Sequence, residues 1–408
     1  LTRFTWLIFL VFSSCSKNDD NNHGHIPKIG SITLGGPGDN QQLVPIDIEF
    51  TWTPYEEATV TQYRLFMGLE ASSLEHMTDI TTGSAYTPEP LLVNTTYHWK
   101  IEAWSDSAKL AESVIQSFKT EVIAPRILTS NPGFSERYHT SVTSHNGKLW
   151  MVGGQFSESE YTDEIWSSTN GESWQLEGSF PFPISRHKLI AFNNGLWVYG
   201  GVRDTGYLTK KIYRSDDGIN WTEEGDFPVW SYFHINMVVH NDRLWRVAAC
   251  NGNVADLSDE RHVYSSENGI DWTLETENHG FAQKYAFGIT PSDNKLVGVE
   301  YDHSTNLMAT RQSTDPKLWS LLGEETHTFS KSLFYPILGD LDGTLFIMGP
   351  EMPASEALQS SNGEQWQQAT QREMVVQGNS YVVHNGRHLI VAGGNFERNK
   401  GNTIWVLN

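Results

Sequence analysis

The sequence predicts an all-β chain, a two-sheet sandwich followed by a closed ring of six four-stranded sheets. Three observations predict it. First, a turn running from serine to tryptophan recurs: "SSTNGESW" (167–174), "RSDDGINW" (214–221), "SSENGIDW" (265–272) and "SSNGEQW" (360–366). Its serines, Ser168, Ser215, Ser266, Ser313 and Ser360, are spaced by 47, 51, 47 and 47 residues, and Trp174, Trp221, Trp272, Trp319 and Trp366 keep step. Second, a leucine opens an apolar run six times: "LWMVGG" (149–154), "LWVYGG" (196–201), "LWRVAA" (244–249), "LVGVEY" (296–301), "LFIMGP" (345–350) and "LIVAGG" (389–394). Third, residues 28–121 alternate apolar and polar side chains between turn signals, as short strands do.

The elements follow in order. Residues 1–14 read as a leader. Arg3 precedes an apolar run, Trp6–Phe12, that is too short to span a bilayer as a helix, and Ser13 and Ser14 then precede Cys15. Residues 15–27, with "SKNDDNNHGHIP", read as a solvated tether. The sandwich occupies 28–121, with "IDIEFTW" (46–52), "TQYRLFMG" (61–68), "TTYHWKIEAW" (95–104) and "VIQSFKT" (114–120) as its clearest strands.

The ring occupies 122–408. Its first unit reads as strands "HTSVTSH" (139–145), "KLWMVGG" (148–154), "EIWSST" (164–169) and "SWQLE" (173–177), with Asn-Gly turns supplying positive φ. The sixth unit lacks its last strand. Counting 47 residues back from Trp174 reaches Ile127 in "RILTS" (126–130), which is expected to pair with the last unit and remove the free edges. Five copies of the Ser–Trp turn point to scaffold. The serine bonds backbone, Asn-Gly reverses the chain, and the tryptophan packs between neighbouring units.

Bulk properties bound the function. The chain has 28 Lys and Arg against 49 Asp and Glu, a net charge of −21, which excludes nucleic-acid binding by phosphate neutralisation. Fifteen tryptophans argue for folded structure. The two cysteines, Cys15 and Cys250, imply no disulfide framework, and Cys250 reads as a small buried residue. No phosphate loop, dinucleotide fingerprint or zinc-ligand spacing occurs, so neither cofactor nor metal is expected.

"FSSC" (12–15) resembles a bacterial lipoprotein signal, which implies cleavage before Cys15 and lipidation of its sulfur. "SKNDD" (16–20) resembles the acidic export signal of surface lipoproteins in Bacteroidetes-type bacteria, which implies a surface-exposed place on the outer membrane. Residues 28–121 resemble a fibronectin type III domain through Trp52, Tyr63 and "NTTYHWKIEA" before "FKT". Residues 126–408 resemble a kelch-type, galactose oxidase-like β-propeller through "RYHTSVTSHNGKLWMVGG" (137–154) and "SRHKLIAFNNGLWVYGG" (185–201). The fold implied is a fibronectin type III-like sandwich followed by a six-bladed kelch-type β-propeller.

In such propellers the loops leading into the innermost strands share one face with those after the second strands. The first set offers Arg137, Tyr138, Arg186, His187, Trp230, Tyr232, Phe233, His234, Lys284 and Tyr285; the second offers Phe156, Tyr161, Arg203, Tyr207, Glu300, Tyr301, Asp302, His303, Phe396 and Arg398. Aromatic faces stack on sugar rings and arginine forks bind carboxylates, so Arg137, Tyr138, Arg186, His187, Trp230, Tyr232, Lys284 and Tyr285 are the candidate ligand-binding residues. The alternative is that Arg137, His139 and His187 hold loops and strand ends.

Galactose oxidase chemistry needs copper with a cross-linked Cys–Tyr pair, and Cys250 is the single candidate thiol. A sialidase needs an arginine triad with a Tyr–Glu pair, and nothing fixes one here. A sugar mutarotase needs only an acid/base pair, for which Glu300, Asp302 or His303 would serve. The expected function is therefore a monomeric, lipid-anchored surface protein whose propeller face binds a glycan, an acidic one favoured, or a protein. The rival is a sugar-active enzyme, a mutarotase or lyase, using the same face.

Overall fold

The computed structural model describes residues 29–228, 236–247, 262–281, 286–302, 304–329, 336–341, 343–349, 354–371, 380–391 and 401–407. The expectations for the leader, the tether and Cys15 lie outside these residues. The described chain is all-β apart from one short 3-10 turn, Ala354–Glu356. No helix among the described residues is long and apolar enough to cross a membrane.

The N-terminal strands form two sheets around one core. Strands Gly30–Ile32, Gln41–Val44, Gln62–Gly68, Glu75–Ile80, Thr96–Ser105, Ala108–Ser113 and Gln116–Thr120 make the larger sheet. Leu34–Gly36, Phe50–Trp52 and Ala85–Tyr86 make the smaller. Their inward residues meet: Phe50 lies edge-on to Trp99 at 4.8 Å between centroids, and Trp52 lies 5.3 Å from Tyr63. Two details depart from the alternation. The strand expected over 46–52 is confined to Phe50–Trp52. Glu102, between the inward Ile101 and Ala103, is buried as well, held by Lys100 Nζ at 2.7 Å and Trp104 Nε1 at 3.0 Å. A charge is tolerated there because it is paired.

Six four-stranded antiparallel sheets follow. Five take their strands from consecutive stretches of chain, with first strands Ser141–His145, Lys188–Phe192, Met237–His240, Ala286–Ser292 and Ile337–Leu341. The sixth joins Ser380–His384, Arg387–Val391 and Ile404–Leu407 to Arg126–Thr129, with Arg126 opposite Val406 and Ile127 opposite Trp405. The expected pairing of residues 126–130 with the last unit is thus present. The side-chain equivalence is not: Ile127 is 54% exposed whereas Trp174 is buried, and the neighbouring Leu128 enters the core instead. Ile127 lies within the strand, whereas Trp174 precedes its own strand, Gln175–Ser179.

Four of the five recurring turns share one mechanism; in the other Asp315-Pro316 stand where Asn-Gly was expected, Ser313 Oγ donates to Asp315 O and Trp319 donates to Pro316 O. In the first sheet Gly171 N donates to Ser168 Oγ at 2.9 Å, while Asn170 Oδ1 accepts from the amides of Glu172 and Ser173. The same Ser–Gly bond, at 2.8 Å, joins Gly218 to Ser215, Gly269 to Ser266 and Gly363 to Ser360. Trp174 then closes the turn by donating to Gly171 O and packs with Leu389 and Val391 of the sixth sheet. Trp221, Trp272, Trp319 and Trp366 pack likewise, each against the sheet before its own. Such caps satisfy turn amides that burial would otherwise strand.

The double glycines act at the other end of the second strands. Gly153, Gly154, Gly200 and Gly201 all have positive φ. A Cβ on Gly153 would lie 2.2 Å from Ile184 O, and one on Gly201 would lie 2.8 Å from Ser185 O. The glycines therefore let the segment 184–187 cross close over the strand ends, and Gly154 N donates to Ile184 O at 2.8 Å. That crossing delivers Arg186, His187 and Lys188 to the centre of the ring.

Candidate functional site

All six first strands line one cavity of about 620 Å³. Each ends at a tight turn: His145, Phe192, His240, Ser292, Leu341 and His384 pair across it with Lys148, Gly195, Arg243, Lys295, Thr344 and Arg387. Four residues before those ends stand Ser141, Lys188, Asn236, Gly288, Ile337 and Ser380, and every one lines the cavity. They form one layer of the ring, and Lys188 is its charged member.

Two residues before Lys188 stands Arg186, and two before Ser141 stands His139. Both have positive φ, 57° and 54°, and Arg186 N donates to His139 O at 2.9 Å. These two positions are structural equivalents. Arg137 is therefore not the counterpart of Arg186; it lies two residues earlier, level with the buried Ile184.

The expectation that Arg137 binds ligand is corrected accordingly. Arg137 is fully buried and is not among the cavity-lining residues. Its guanidinium donates to Glu164 Oε2 at 2.6 Å, to Ser135 O at 3.1 Å and to Gly153 O at 3.3 Å, between the rings of Phe134 and Phe156. Burial pushes its pKa down, and the Glu164 carboxylate opposes that push. Tyr138 is also buried; its backbone is paired to Gln155 and its ring packs on His139. Burial raises the Tyr138 phenol, with Glu158 adding to the effect and Arg186 opposing it.

Arg186 and His187 do line the cavity. His187 is buried, neither ring nitrogen has a hydrogen-bond partner among the described residues, and burial lowers its pKa to about 3. It is neutral across the physiological range. Trp230, Tyr232, Phe233, His234, Lys284, Tyr285, His303, Phe396 and Arg398 lie outside the described residues.

The second-strand loops contribute less. Arg203 stacks on Phe182 at 4.0 Å, and Tyr207 is exposed. Phe156 and Tyr161 are half-buried. Glu300 is buried against Arg311 Nε at 3.0 Å, Tyr301 donates to His327 O at 2.8 Å, and Asp302 accepts from Ser304. None of these lines the cavity. Among the described residues no cluster of three or more His, Cys, Asp or Glu could hold a metal.

Lys188 is the residue the sequence reading missed. Its signal was present in "SRHKL", one position past the arginine and histidine that drew attention. Among the described residues lining the cavity, the basic groups Arg186 and Lys188 sit at the end where the first strands begin, beside His139 and His187. The one carboxylate, Asp340, lies three residues further along its strand layer, roughly 10 Å down the axis. Asp340 Oδ1 is already engaged by Gly343 N in a turn. The cavity thus has a cationic mouth on a strongly acidic protein.

No known protein family matches the chain, and no curated protein matches it. Among solved structures it is similar to one described as "Structure of YjhT", with a TM-score of 0.51 and 13% identity over 67% of this chain and 95% of that one. At that identity the likeness is one of fold alone.

Proposed function

We propose that the six four-stranded sheets are the blades of a kelch-type β-propeller whose axial cavity binds an anionic ligand, an acidic saccharide being the favoured class. The observation that carries this reading is the grouping of Arg186 and Lys188 with His139 and His187 at one mouth, away from Asp340. An arginine fork pairs with a carboxylate, and an anion bound beside Lys188 restores the charge that desolvation withdraws from its amine, both interactions being stronger in a partly desolvated cavity than in water. The −21 net charge repels anions at long range, so attraction is local and salt-sensitive. The sandwich, read as a fibronectin type III-like spacer, and Cys15, read as a lipid anchor, would hold the propeller off the outer surface of a bacterial membrane.

The test is a glycan array with the purified protein. Acidic saccharides should bind, and a variant with Arg186→Ala and Lys188→Ala should lose that binding while melting close to the parent. An array on which acidic and neutral sugars behave alike would overturn the reading. The anchor is tested separately: Cys15→Ala should release the protein from membranes.

A further inference from the structure

We infer that Lys188 is an amine poised to capture small carbonyl compounds inside the cavity, forming an imine with hydroxylated aldehydes or ketones. The inference rests on the proposed reading in one respect, that the cavity admits small solutes through its charged mouth.

Geometry comes first. Lys188 opens the first strand of the second sheet and lines the cavity. Among the described residues its side chain makes no hydrogen bond and no ion pair, whereas several other described lysines are paired. Lys100 and Lys109 share Glu102 and Glu112, Lys148 meets Glu177, and Lys211 meets Glu223 and Asp226. A surface lysine with a carboxylate partner stays protonated and is a poor nucleophile. Lys188 has no carboxylate beside it: Asp340, the one acid lining the cavity among the described residues, is three strand positions away. Desolvation pushes the Lys188 amine towards its neutral form, and no carboxylate among the described residues opposes it. A desolvated lysine is the usual route to an amine nucleophile at neutral pH.

The surroundings suit a hydroxylated carbonyl compound. The layer holding Lys188 carries Asn236 together with Ser141, whose hydroxyl accepts from Leu189 N and keeps its own proton to donate, and Ser380, whose hydroxyl donates to Thr140 O and keeps lone pairs to accept. Below them Ile190, Val238 and Val382 are apolar and carry no competing charge. The volume of about 620 Å³ lies within the range of small-molecule sites.

The chemistry balances without a co-reactant. The Nζ lone pair attacks the carbonyl carbon and the carbonyl π pair moves to oxygen. Nitrogen gives up its two protons and the oxygen leaves as water. Nothing is oxidised or reduced, and hydrolysis reverses the step.

The experiment uses the full chain with glyceraldehyde as the carbonyl probe and cyanoborohydride to trap the imine, followed by peptide mass spectrometry over time. Lys188 should be modified faster than the half-exposed, ion-paired Lys148 and Lys211, by about an order of magnitude. In Lys188→Arg the corresponding adduct should vanish while surface labelling continues at its former rate. If Lys188 labels no faster than those two lysines, the inference is wrong. The saccharide reading is judged independently, on unlabelled protein. Binding of acidic saccharides without preferential Lys188 labelling sinks this inference alone; preferential labelling without saccharide binding sinks the other alone.

Discussion

The indole of Trp150, in the first sheet, occupies the space that a Cβ on Gly218, in the second, would need; the nearest ring atom would lie 2.4 Å away. Gly218 also has φ +82°. Gly269 stands in the same relation to Trp197 and Tyr199 of the sheet before it, and Tyr199 donates to Gly269 O at 2.8 Å. The glycine of each of these turns is therefore a seat for the neighbouring sheet as well as a means of reversing the chain. Gly218→Ala should cost about 2–4 kcal/mol, since it combines an unfavourable φ with overpacking against a ring. Urea denaturation of the variant checks this, and an unchanged midpoint would contradict it.

Asp217 takes the position in its turn that Asn170, Asn268 and Asn362 take in theirs. Backbone and side-chain bonds from Asn220, then the Ile219 amide and Ser215, hold its carboxyl well below the usual range. Because the folded pKa is depressed, this stabilisation is fully present above the ordinary carboxylate pKa and is lost as pH falls through the folded value. Asp217→Asn keeps the accepting oxygen but not the titration. The melting temperature of the parent relative to the variant should therefore fall between pH 7 and pH 2.5. A difference that stays flat with pH would show that Asp217 does not contribute in this way.

Much of this scaffold was legible in the sequence because the repeat is long and its markers are local. Ser168, Gly171 and Trp174 act within seven residues, so their spacing carries their roles. The pairing of residues 126–130 with the last sheet was legible from the same 47-residue arithmetic. The site was less legible because a shift of two residues changes everything at a strand end. Arg137 and Arg186 each sit near a first strand in similar stretches, yet one is level with Ile184 in the interior and the other with His139 at the cavity. Lys188 was passed over because a lysine opening a strand usually faces water; here the strand lies against the axis. Glu102 breaks the alternation of its strand, because two lysines and an indole gather around its carboxylate and let it be buried.

Arg137 and the cavity pair should separate cleanly by mutation. Arg137→Ala removes the partner of Glu164 and empties space between aromatic rings, so about 2–3 kcal/mol of stability should be lost, below the range for fully buried pairs because Glu164 is partly exposed. Arg186→Ala with Lys188→Ala should leave melting nearly unchanged. Thermal melts of both variants side by side provide the check, and equal losses in the two would contradict the assignment of Arg137 to packing.

The junction between the two halves of the chain depends on one buried carboxylate. Glu121 is fully buried; its Oε1 accepts from Ile46 N at 3.2 Å in the sandwich, and its Oε2 accepts from the Thr370 hydroxyl in the fifth sheet region. Val122 N donates to Ala369 O at 3.0 Å, and Ile123 enters the core shared by the fifth and sixth sheets. The segment 121–125 is buried throughout, so it behaves as a clamp rather than a swivel. Glu121→Ala removes the acceptor that the Ile46 amide and the Thr370 hydroxyl share, whereas Thr370→Val removes one donor and leaves the other. A double-mutant cycle should therefore return a coupling of about 1–3 kcal/mol between Glu121 and Thr370, because the bond is charge-assisted and shielded from water. Protease cleavage within 121–125 should appear in Glu121→Ala under conditions where the parent resists. Additive effects in the cycle, together with unchanged proteolysis, would mean that the two halves are held without Glu121, by the Val122–Ala369 bond and the apolar contacts of Ile123.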